Sequence, residues 1–259
     1  MESALDYHTA RALLEWQIEL GATEAMLDAP VNRYEVPDKP ARAKPAVAAE
    51  AVAPPPPKVD PVQAARDLAA RANDLDSLQQ AMQSFEMCDL KRGARSLVFS
   101  DGNPAARVMI IGEAPGRDED RAGKPFVGRA GHLLDRMFAG IDMGRAASLS
   151  AKSIYITNVL PWRPPQNRDP KAHEIAMMVP FLQRHVEIVA PEVIVVMGNI
   201  ACEAVLGKRS ITRLRGQWDQ AFGKPVLPMC HPAYLLRQSH AKRDAWADLL
   251  SLQAKLREI

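Results

Sequence analysis

Five side chains that can take part in chemistry stand just beyond short apolar runs of the sequence. These residues are Glu113, Glu119 and Phe126 after the first run, then Asn158 and His231 after two later runs. Carboxylates, an aromatic ring, a carboxamide and an imidazole can together stack on a ring, hydrogen-bond its edge and transfer a proton. This combination suits a planar, polar, uncharged ring better than a phosphate or a metal ion.

Apolar runs and the helical patterns between them predict the frame that carries these side chains. Along the chain, the runs cover 108–111, 153–157, 193–197 and 225–229, and helical patterns cover 130–138, 172–189 and 199–206. This alternation predicts an α/β fold, with three layers (α/β/α) around a central four-stranded parallel sheet. Right-handed crossovers place the carboxyl ends of the strands on one edge, where we expect the five side chains to meet.

Composition divides the chain into three parts. Residues 1–34 are predicted to be a short N-terminal helical segment, with apolar groups at helical spacing from about Asp6 to Leu27. Residues 35–60 read as a linker rich in Pro and Ala, too poor in apolar groups to fold. Residues 61–259 are predicted to be the main domain, opening with a helix that reaches toward Phe85. The N-terminal helix either packs on itself or on the main domain, or docks a partner protein.

Charge and cysteine content narrow the class of protein. The net charge of the 259 residues is only +2. The chain as a whole therefore does not attract nucleic acids, and any such contact has to come from a local basic patch. Gly112–Gly116 departs from the dinucleotide-binding pattern and Gly207-Lys208 from the triphosphate-binding pattern, which disfavours those ligands. The sequence offers no membrane span and no signal peptide, and its three cysteines are irregularly spaced. We therefore expect a cytoplasmic, monomeric protein without disulfides.

Several motifs, taken together, resemble those of family 4 uracil-DNA glycosylases. The motifs are Gly112–Gly116 (GEAPG), Pro125–Gly131 (PFVGRAG), Thr157-Asn158, Arg163–Arg168 (RPPQNR) and His231–Arg237 (HPAYLLR). They follow the family's order and spacing from about Ala81 to the C-terminus. The resemblance implies an enzyme that flips uracil out of DNA and hydrolyses its N-glycosidic bond, leaving an abasic site. The implied reaction uses neither a lysine nucleophile nor a metal ion. If the N-terminal helix docks a partner, the resemblance implies a repair or replication protein.

The resemblance assigns roles in binding the base. Asn158 is expected to read N3 and O4 of uracil, and Phe126 to stack on the ring. His231 is expected to donate a hydrogen bond to O2 as negative charge develops there. Gly112 and Ala114 complete the predicted uracil-binding set.

Two carboxylates join His231 in the predicted catalytic set. Glu113 is expected to stabilise the sugar cation and to orient or deprotonate the attacking water. Glu119 is expected to shape the pocket near uracil C5, where thymine carries a methyl group. Which carboxylate does which work stays open at this point.

The predicted DNA contacts are basic residues and a Leu pair near the motifs: Arg163, Arg168, Arg215, Leu235, Leu236 and Arg237. The arginines are expected to contact phosphates, with Arg209 and Arg213 beside Arg215 in one basic loop. Residues 235–237 are expected to wedge into the duplex as the base leaves it. The alternative for the Leu pair is burial in the core.

The chain departs from the family at the positions of an iron–sulfur cluster. Family members bind a [4Fe–4S] cluster through four cysteines, and the corresponding residues here are Phe85, Cys88, Trp162 and Met178. Because four thiolates are normally required, we expect neither a cluster nor another cofactor. We expect the four side chains instead to pack together and brace residues 163–168 against the helix around Met178.

Loss of the cluster cysteines leaves other functions open beside a full uracil-DNA glycosylase. One is a catalytically weak module that binds uracil or DNA. Others are a glycosylase whose specificity has shifted to another deaminated base, and a different small-molecule hydrolase on the same fold. Release of uracil from an oligonucleotide by catalytic amounts of the protein distinguishes them.

Overall fold

The computed structural model describes residues 6–21 and 60–259, which belong to two separate units. The first holds helix α1 (Tyr7–Glu19), which begins where the Asp6 carboxylate accepts hydrogen bonds from the amides of His8 and Thr9. Residues 7–19 thus form a short helix within the predicted N-terminal segment. The predicted linker at 35–60 lies outside the described residues apart from residue 60, as does the predicted helical segment beyond residue 21.

The main domain alternates strands and helices, as the sequence predicts. Its strands are β1 (Asp101–Gly102), β2 (Val108–Gly112), β3 (Ile154–Asn158), β4 (Val193–Met197), β5 (Asp219–Ala221) and β6 (Lys224–Met229). Its helices are α2 (Pro61–Arg71), α3 (Leu75–Ser84), α4 (Leu90–Gly93), α5 (Arg117–Ala122), α6 (Arg129–Ala139), α7 (Ala172–Val189), α8 (Asn199–Leu206), α9 (Ile211–Leu214), α10 (Pro232–Arg237) and α11 (Lys242–Glu258). Single turns of 3-10 helix lie at Ser150–Lys152, Pro165–Asn167 and Ser239–Ala241.

The sheet has six strands in the order β1-β3-β2-β4-β6-β5. Its four central strands are parallel, which confirms the predicted core of the fold. The predicted strand number needs a correction, because β1 and β5 add antiparallel pairs at the two edges. These edge strands are two and three residues long and lack an apolar run, so no hydrophobic pattern marks them in the sequence.

Alternate residues of the parallel strands face two different helical layers. Met109 and Ile111 of β2 pack into a core with residues of α2, α3, α7 and α8. Val108 and Ile110 point the other way, into a core with Leu134 of α6 and residues of α11. Because both faces are covered, β2 and β4 carry unbroken apolar runs. Polar residues occur only at the ends of the other two central strands, Thr157 and Asn158 in β3 and Lys224 in β6. The three-layer α/β/α arrangement follows.

The helix predicted to run from Pro61 toward Phe85 is two helices, α2 and α3. The break has a local cause: Asp74 caps α3 by accepting from the Ser77 amide at 2.8 Å, and the Ser77 hydroxyl accepts from the Asp74 amide at 3.1 Å. Among the described residues, no helix combines the length and the apolar content needed to cross a membrane.

Candidate active site

The carboxyl ends of the parallel strands open into one cleft. Gly112, the last residue of β2, lies level with Asn158, the last residue of β3, so Glu113 and Asn158 leave the sheet side by side. Strand β6 ends two residues before His231. The resulting cleft has a volume of about 670 Å³, and its lining includes Glu113, Ala114, Glu119, Phe126, Asn158 and His231. The expected meeting of these side chains at one sheet edge is confirmed.

Gly112 is buried behind the Asn158 and Phe126 side chains that line the cleft, and a larger residue does not fit there. A Cβ atom placed on Gly112 would come within 2.4 Å of the Asn158 side-chain oxygen and 2.5 Å of the Phe126 ring. The amide and the ring therefore converge above a backbone without a side chain. Asn158 is only 6% exposed, which positions its carboxamide for recognition by hydrogen bonds within a buried site.

Phe126 is held in an unusual backbone conformation by its surroundings. Its φ angle is +53°, a left-handed value that bulky residues seldom adopt. The Glu119 carboxylate accepts hydrogen bonds from the amides of Val127 at 3.0 Å and Gly128 at 2.9 Å, and from that of Gly116 at 3.1 Å. Both oxygens of Glu119 are thus engaged with the backbone. This geometry favours a role in holding the two loops over the expected role in catalysis.

The Glu113 carboxyl group lies where ionisation is unfavourable. Burial, and to a lesser extent the nearby carboxylate of Asp169, raises its pKa from 4.5 to about 7. A carboxylate with a pKa near neutral pH is well matched to accept a proton from water. With Glu119 engaged by amides, Glu113 is the better candidate for the general base.

His231 presents a neutral imidazole to the cleft. Its pKa is lowered to about 4, first by burial and second by the positive charge of Arg237. The Nδ1 atom accepts a hydrogen bond from the Ala233 amide at 3.1 Å, so the proton of the neutral ring is on Nε2. The imidazole also stacks against Phe126 with ring centroids 5.4 Å apart. His231 is therefore a hydrogen-bond donor that carries no charge at neutral pH.

Three of the predicted DNA contacts lie at the rim of the cleft. Arg168 and Arg237 line it directly. Arg163 donates to the Asn167 side chain at 2.7 Å, and Arg168 donates to Glu174 at 2.9 Å. These bonds fix the 163–168 loop, in which Gln166 and Asn167 both have positive φ angles.

Two of the predicted DNA contacts require correction. Leu235 is fully buried beside Cys230 and Ala245, whereas Leu236 is 40% exposed. Of this Leu pair, Leu236 alone is exposed enough to enter a duplex, whereas Leu235 is part of the core. Arg215 is also committed elsewhere: its Nε donates at 2.9 Å to Asp248, which is 1% exposed, so its guanidinium neutralises a buried carboxylate.

The positions corresponding to the cluster cysteines do not fit an iron–sulfur cluster. Phe85, Cys88, Trp162 and Met178 are each at most 3% exposed and belong to the large hydrophobic core on one face of the sheet. They offer one thiol where four thiolates are needed, and burial raises the pKa of that thiol. Among residues 6–21 and 60–259, no group of three or more His, Cys, Asp or Glu side chains is arranged to hold a metal ion.

Sequence reasoning missed two residues that shape the site. Asp169 lines the cleft and raises the pKa of Glu113. Its position directly after the RPPQNR motif was a signal that could have found it. Arg145 donates hydrogen bonds to the backbone of the Phe126 loop, but no motif surrounds it in the sequence.

The fold and the cleft define an α/β protein with a site for a planar polar ring, and comparisons with known proteins agree. The model of the Uracil DNA glycosylase superfamily matches residues 99–250. The type-4 uracil-DNA glycosylase of Archaeoglobus fulgidus is 37% identical over 183 residues, which are 67% of this chain and 89% of that protein. The type-4 enzyme of Thermotoga maritima is 38% identical over 63% of this chain and 83% of its own length. This chain belongs to the Uracil DNA glycosylase superfamily.

A further relative is much longer than this chain. A protein of Bacillus phage SP01 named DNA polymerase is 30% identical over 139 residues. The match covers 53% of this chain but only 14% of the phage protein. A region similar to this domain is thus part of a protein that carries the name of a polymerase.

Proposed function

We propose that this chain is a monofunctional uracil-DNA glycosylase of DNA repair. The observation that carries the proposal is the meeting of a buried carboxamide, an aromatic ring and a neutral imidazole donor beside a carboxyl group of raised pKa. The names of its type-4 relatives support the substrate. We also propose that the protein is cytoplasmic and monomeric, and its three free cysteines suit a reducing compartment.

In this proposal the cleft selects uracil by hydrogen bonds to the edge of the base and by stacking on the face of its ring. The Asn158 carboxamide accepts from N3 and donates to O4, whereas cytosine presents the opposite pattern and leaves buried groups unpaired. Phe126 stacks on the face of the extruded base. Gly112 and Ala114 give the ring room, and Glu119 keeps the Gly116 and Phe126 loops in place around it.

The chemical step breaks the bond between uracil N1 and the sugar C1′. The electron pair of that bond moves onto the base, and the Nε2–H of His231 stabilises the charge that develops at O2. The Glu113 carboxylate stabilises the cationic sugar and takes a proton from the water that attacks C1′. The proton returns to the uracil anion, so the products are uracil and an abasic site.

We propose that the rim of the cleft holds the DNA strand. Arg163, Arg168 and Arg237 would contact phosphates, because their loops surround the opening and carry positive charge. Leu236, exposed on α10, would fill the gap that the flipped base leaves. Leu235 is left out of this set because it is buried. Arg215 is left out because it pairs with Asp248 and does not line the cleft, whereas Arg168 lines the cleft although it pairs with Glu174.

The test is single-turnover release of uracil from a duplex oligonucleotide. Asn158→Ala and His231→Ala should each lower the rate by about 10²–10³-fold while binding of the duplex persists, because both residues act on the extruded base. Asn73→Ala and His240→Ala, two exposed positions, are matched controls and should release uracil at the wild-type rate. A wild-type protein that binds but does not turn over would support the weak binding module instead.

We further propose that the protein works without an iron–sulfur cluster. The support is the packing of Phe85, Trp162 and Met178 where the family has cysteines. Iron analysis of protein purified without oxygen should give far less than one cluster per chain, at full activity. Stoichiometric iron, lost together with activity on chelation, would contradict this proposal.

We propose that α1 is a docking element for a replication protein of the polymerase class. Trp16 and Leu14 on this helix are more than half exposed, and α1 belongs to a unit separate from the main domain. The phage relative named DNA polymerase, in which a similar region is part of the longer protein, supports a polymerase as partner. A peptide of residues 1–34 should bind the host's replicative polymerase, and Trp16→Ala should abolish this binding. If only the full-length glycosylase binds, α1 is not the docking element.

A further inference from the structure

Arg145 lies in the irregular stretch between α6 and β3, yet its side chain is only 17% exposed. Its guanidinium donates to the carbonyl oxygens of Pro125 at 3.1 Å and Phe126 at 2.9 Å. It also donates to the carboxylates of Asp101 and Asp135, both at 2.9 Å. The guanidinium of Arg145 therefore links its own stretch of chain, Asp101 and Asp135 to the backbone of the Phe126 loop.

The backbone of the Phe126 loop is hydrogen-bonded by two side chains of opposite charge, Arg145 and Glu119. Arg145 binds the carbonyl oxygens of residues 125 and 126, and Glu119 binds the amides of residues 127 and 128. Helix α6 approaches so closely that a Cβ atom on Gly131 would lie 1.7 Å from the Phe126 carbonyl oxygen. Each group binds the part of the peptide dipole that carries the opposite charge. Together they over-determine the path of three consecutive peptide groups.

These hydrogen bonds hold Phe126 in a backbone conformation that a phenylalanine residue by itself disfavours. Phe126 has a φ angle of +53°, and the left-handed region is unfavourable for a bulky L-residue. Such a residue stays in place only when its surroundings hold it there. Because the ring projects from that backbone toward Gly112, any relaxation of the loop moves the ring in the cleft.

We propose that Arg145 is a positioning residue that fixes the Phe126 ring for stacking on the extruded uracil. The inference rests on the proposed role of Phe126 in binding the base. Arg145 itself does not line the cleft, so it acts only through the loop. A planar fork of donors is needed to bind two neighbouring carbonyl oxygens and two carboxylates at once, and lysine cannot supply it.

The experiment measures single-turnover uracil release and competitive inhibition by free uracil. Arg145→Lys and Arg145→Gln should each lower the rate, on the order of 10²-fold, since a small misplacement of a stacking group is costly. Both should weaken inhibition by uracil, and affinity for undamaged duplex DNA should stay unchanged. Asp135→Asn is the matched control, because it removes the charge of a half-exposed partner of Arg145 and leaves both bonds to the carbonyl oxygens. It should release uracil at the wild-type rate.

A double-mutant cycle separates positioning of the ring from general stability. When Phe126 is already alanine, Arg145→Lys should cause little further loss, because there is no ring to position. The proposal would be overturned if the loss of rate in the double variant equals the product of the losses in the two single variants. It would also be overturned if Arg145→Lys releases uracil at the wild-type rate. Should Arg145→Gln fail to fold, Arg145→Lys still decides, because it keeps the positive charge beside Asp101 and Asp135.

The Phe126→Ala variant alone distinguishes this proposal from the one on which it rests. Suppose that Phe126→Ala releases uracil slowly while Arg145→Lys releases it at the wild-type rate. This result would refute the positioning role of Arg145 and leave the stacking role of Phe126 intact. A Phe126→Ala variant that releases uracil at the wild-type rate would refute the stacking role, and the role of Arg145 with it.

Discussion

Glu113 shows how one buried carboxyl group links activity to stability. The folded protein raises its pKa to about 7, while in the unfolded chain the value is near the ordinary 4.5. A base with this pKa is effective at neutral pH, but its ionised form destabilises the fold. The same burial therefore has a cost in stability and a benefit in catalysis.

The rate of uracil release should depend on pH through Glu113. Because the carboxylate form is the active one, the single-turnover rate should rise with pH and level off above about 7. Asp169→Asn removes a negative charge that raises this pKa, so the midpoint should move to lower pH. A profile measured from pH 5 to 9 checks both expectations. If the midpoint of the pH profile does not move in Asp169→Asn, then Asp169 does not raise the pKa of Glu113.

Glu113→Gln should abolish most activity and stabilise the protein above neutral pH. A group with a raised pKa in the folded state contributes stability below its unfolded pKa and loses it as pH rises through the folded value. The glutamine does not ionise, so its advantage in unfolding free energy should be small at pH 5 and grow to about 1–3 kcal/mol at pH 8. Urea denaturation at the two pH values measures it. An equal difference at both would show that Glu113 ionises freely.

The residues of the cleft could be predicted from sequence only where a motif or a strand end marked them. Glu113, Asn158 and His231 each follow an apolar run, so the rule for parallel sheets placed them together. Arg145 could not be found in this way, because its contact with Phe126 spans 19 residues of chain without a repeated pattern. The bonds that occupy Glu119 and Arg215 also depend on neighbours that only the folded chain brings close.

At the scale of elements, burial on both faces made the central strands predictable. Strands β2 and β4 are fully buried along their length, and their sequences are apolar without interruption. The edge strands β1 and β5 are partly exposed and short, so the sequence gives them no recognisable pattern. The break between α2 and α3 depends on a capping box at Asp74 and Ser77, which overrides helical periodicity.

Trp162 lies in the chain between the end of β3 and the 163–168 loop. The indole is 3% exposed and lies in the same hydrophobic cluster as Phe85 and Met178. Trp162→Ala should therefore lower the free energy of unfolding by about 3–5 kcal/mol, because it removes buried contacts and leaves a cavity. Chemical denaturation measures the loss.

A matched variant tests whether that loss comes from burial. Trp246 is 44% exposed on α11, so Trp246→Ala should cost much less than Trp162→Ala. Similar losses in the two variants would mean that the indole of Trp162 is not a structural support of the loop. Retained activity in Trp162→Phe would show that bulk, rather than the indole itself, is what the loop requires.

At the scale of the whole molecule, the main domain encloses polar groups that water cannot reach. His185 on α7 is 2% exposed, stacks on Phe99, and its Nε2 is 2.8 Å from the Tyr155 hydroxyl on β3. Burial lowers the pKa of His185 to about 3, and His231 in the cleft is lowered to about 4. Both imidazoles stay neutral in the folded protein at pH values where they would be charged in the unfolded chain.

These two histidines should make the domain sensitive to mild acid. A base with a lowered pKa contributes stability above its unfolded pKa of about 6.5, and that stability is lost as pH falls toward the folded value. Between pH 7 and pH 5, each histidine should cost about 2 kcal/mol of unfolding free energy, because the unfolded chain takes up a proton that the folded protein does not. His185→Gln keeps a polar partner for Tyr155 but cannot titrate, so its unfolding free energy should fall by about 2 kcal/mol less than that of wild type between pH 7 and pH 5. His240→Gln, at an exposed position, should leave the pH dependence unchanged. Urea denaturation of the three proteins at pH 5, 6 and 7 measures the difference, and equal slopes for wild type and His185→Gln would show that His185 is protonated in the folded state.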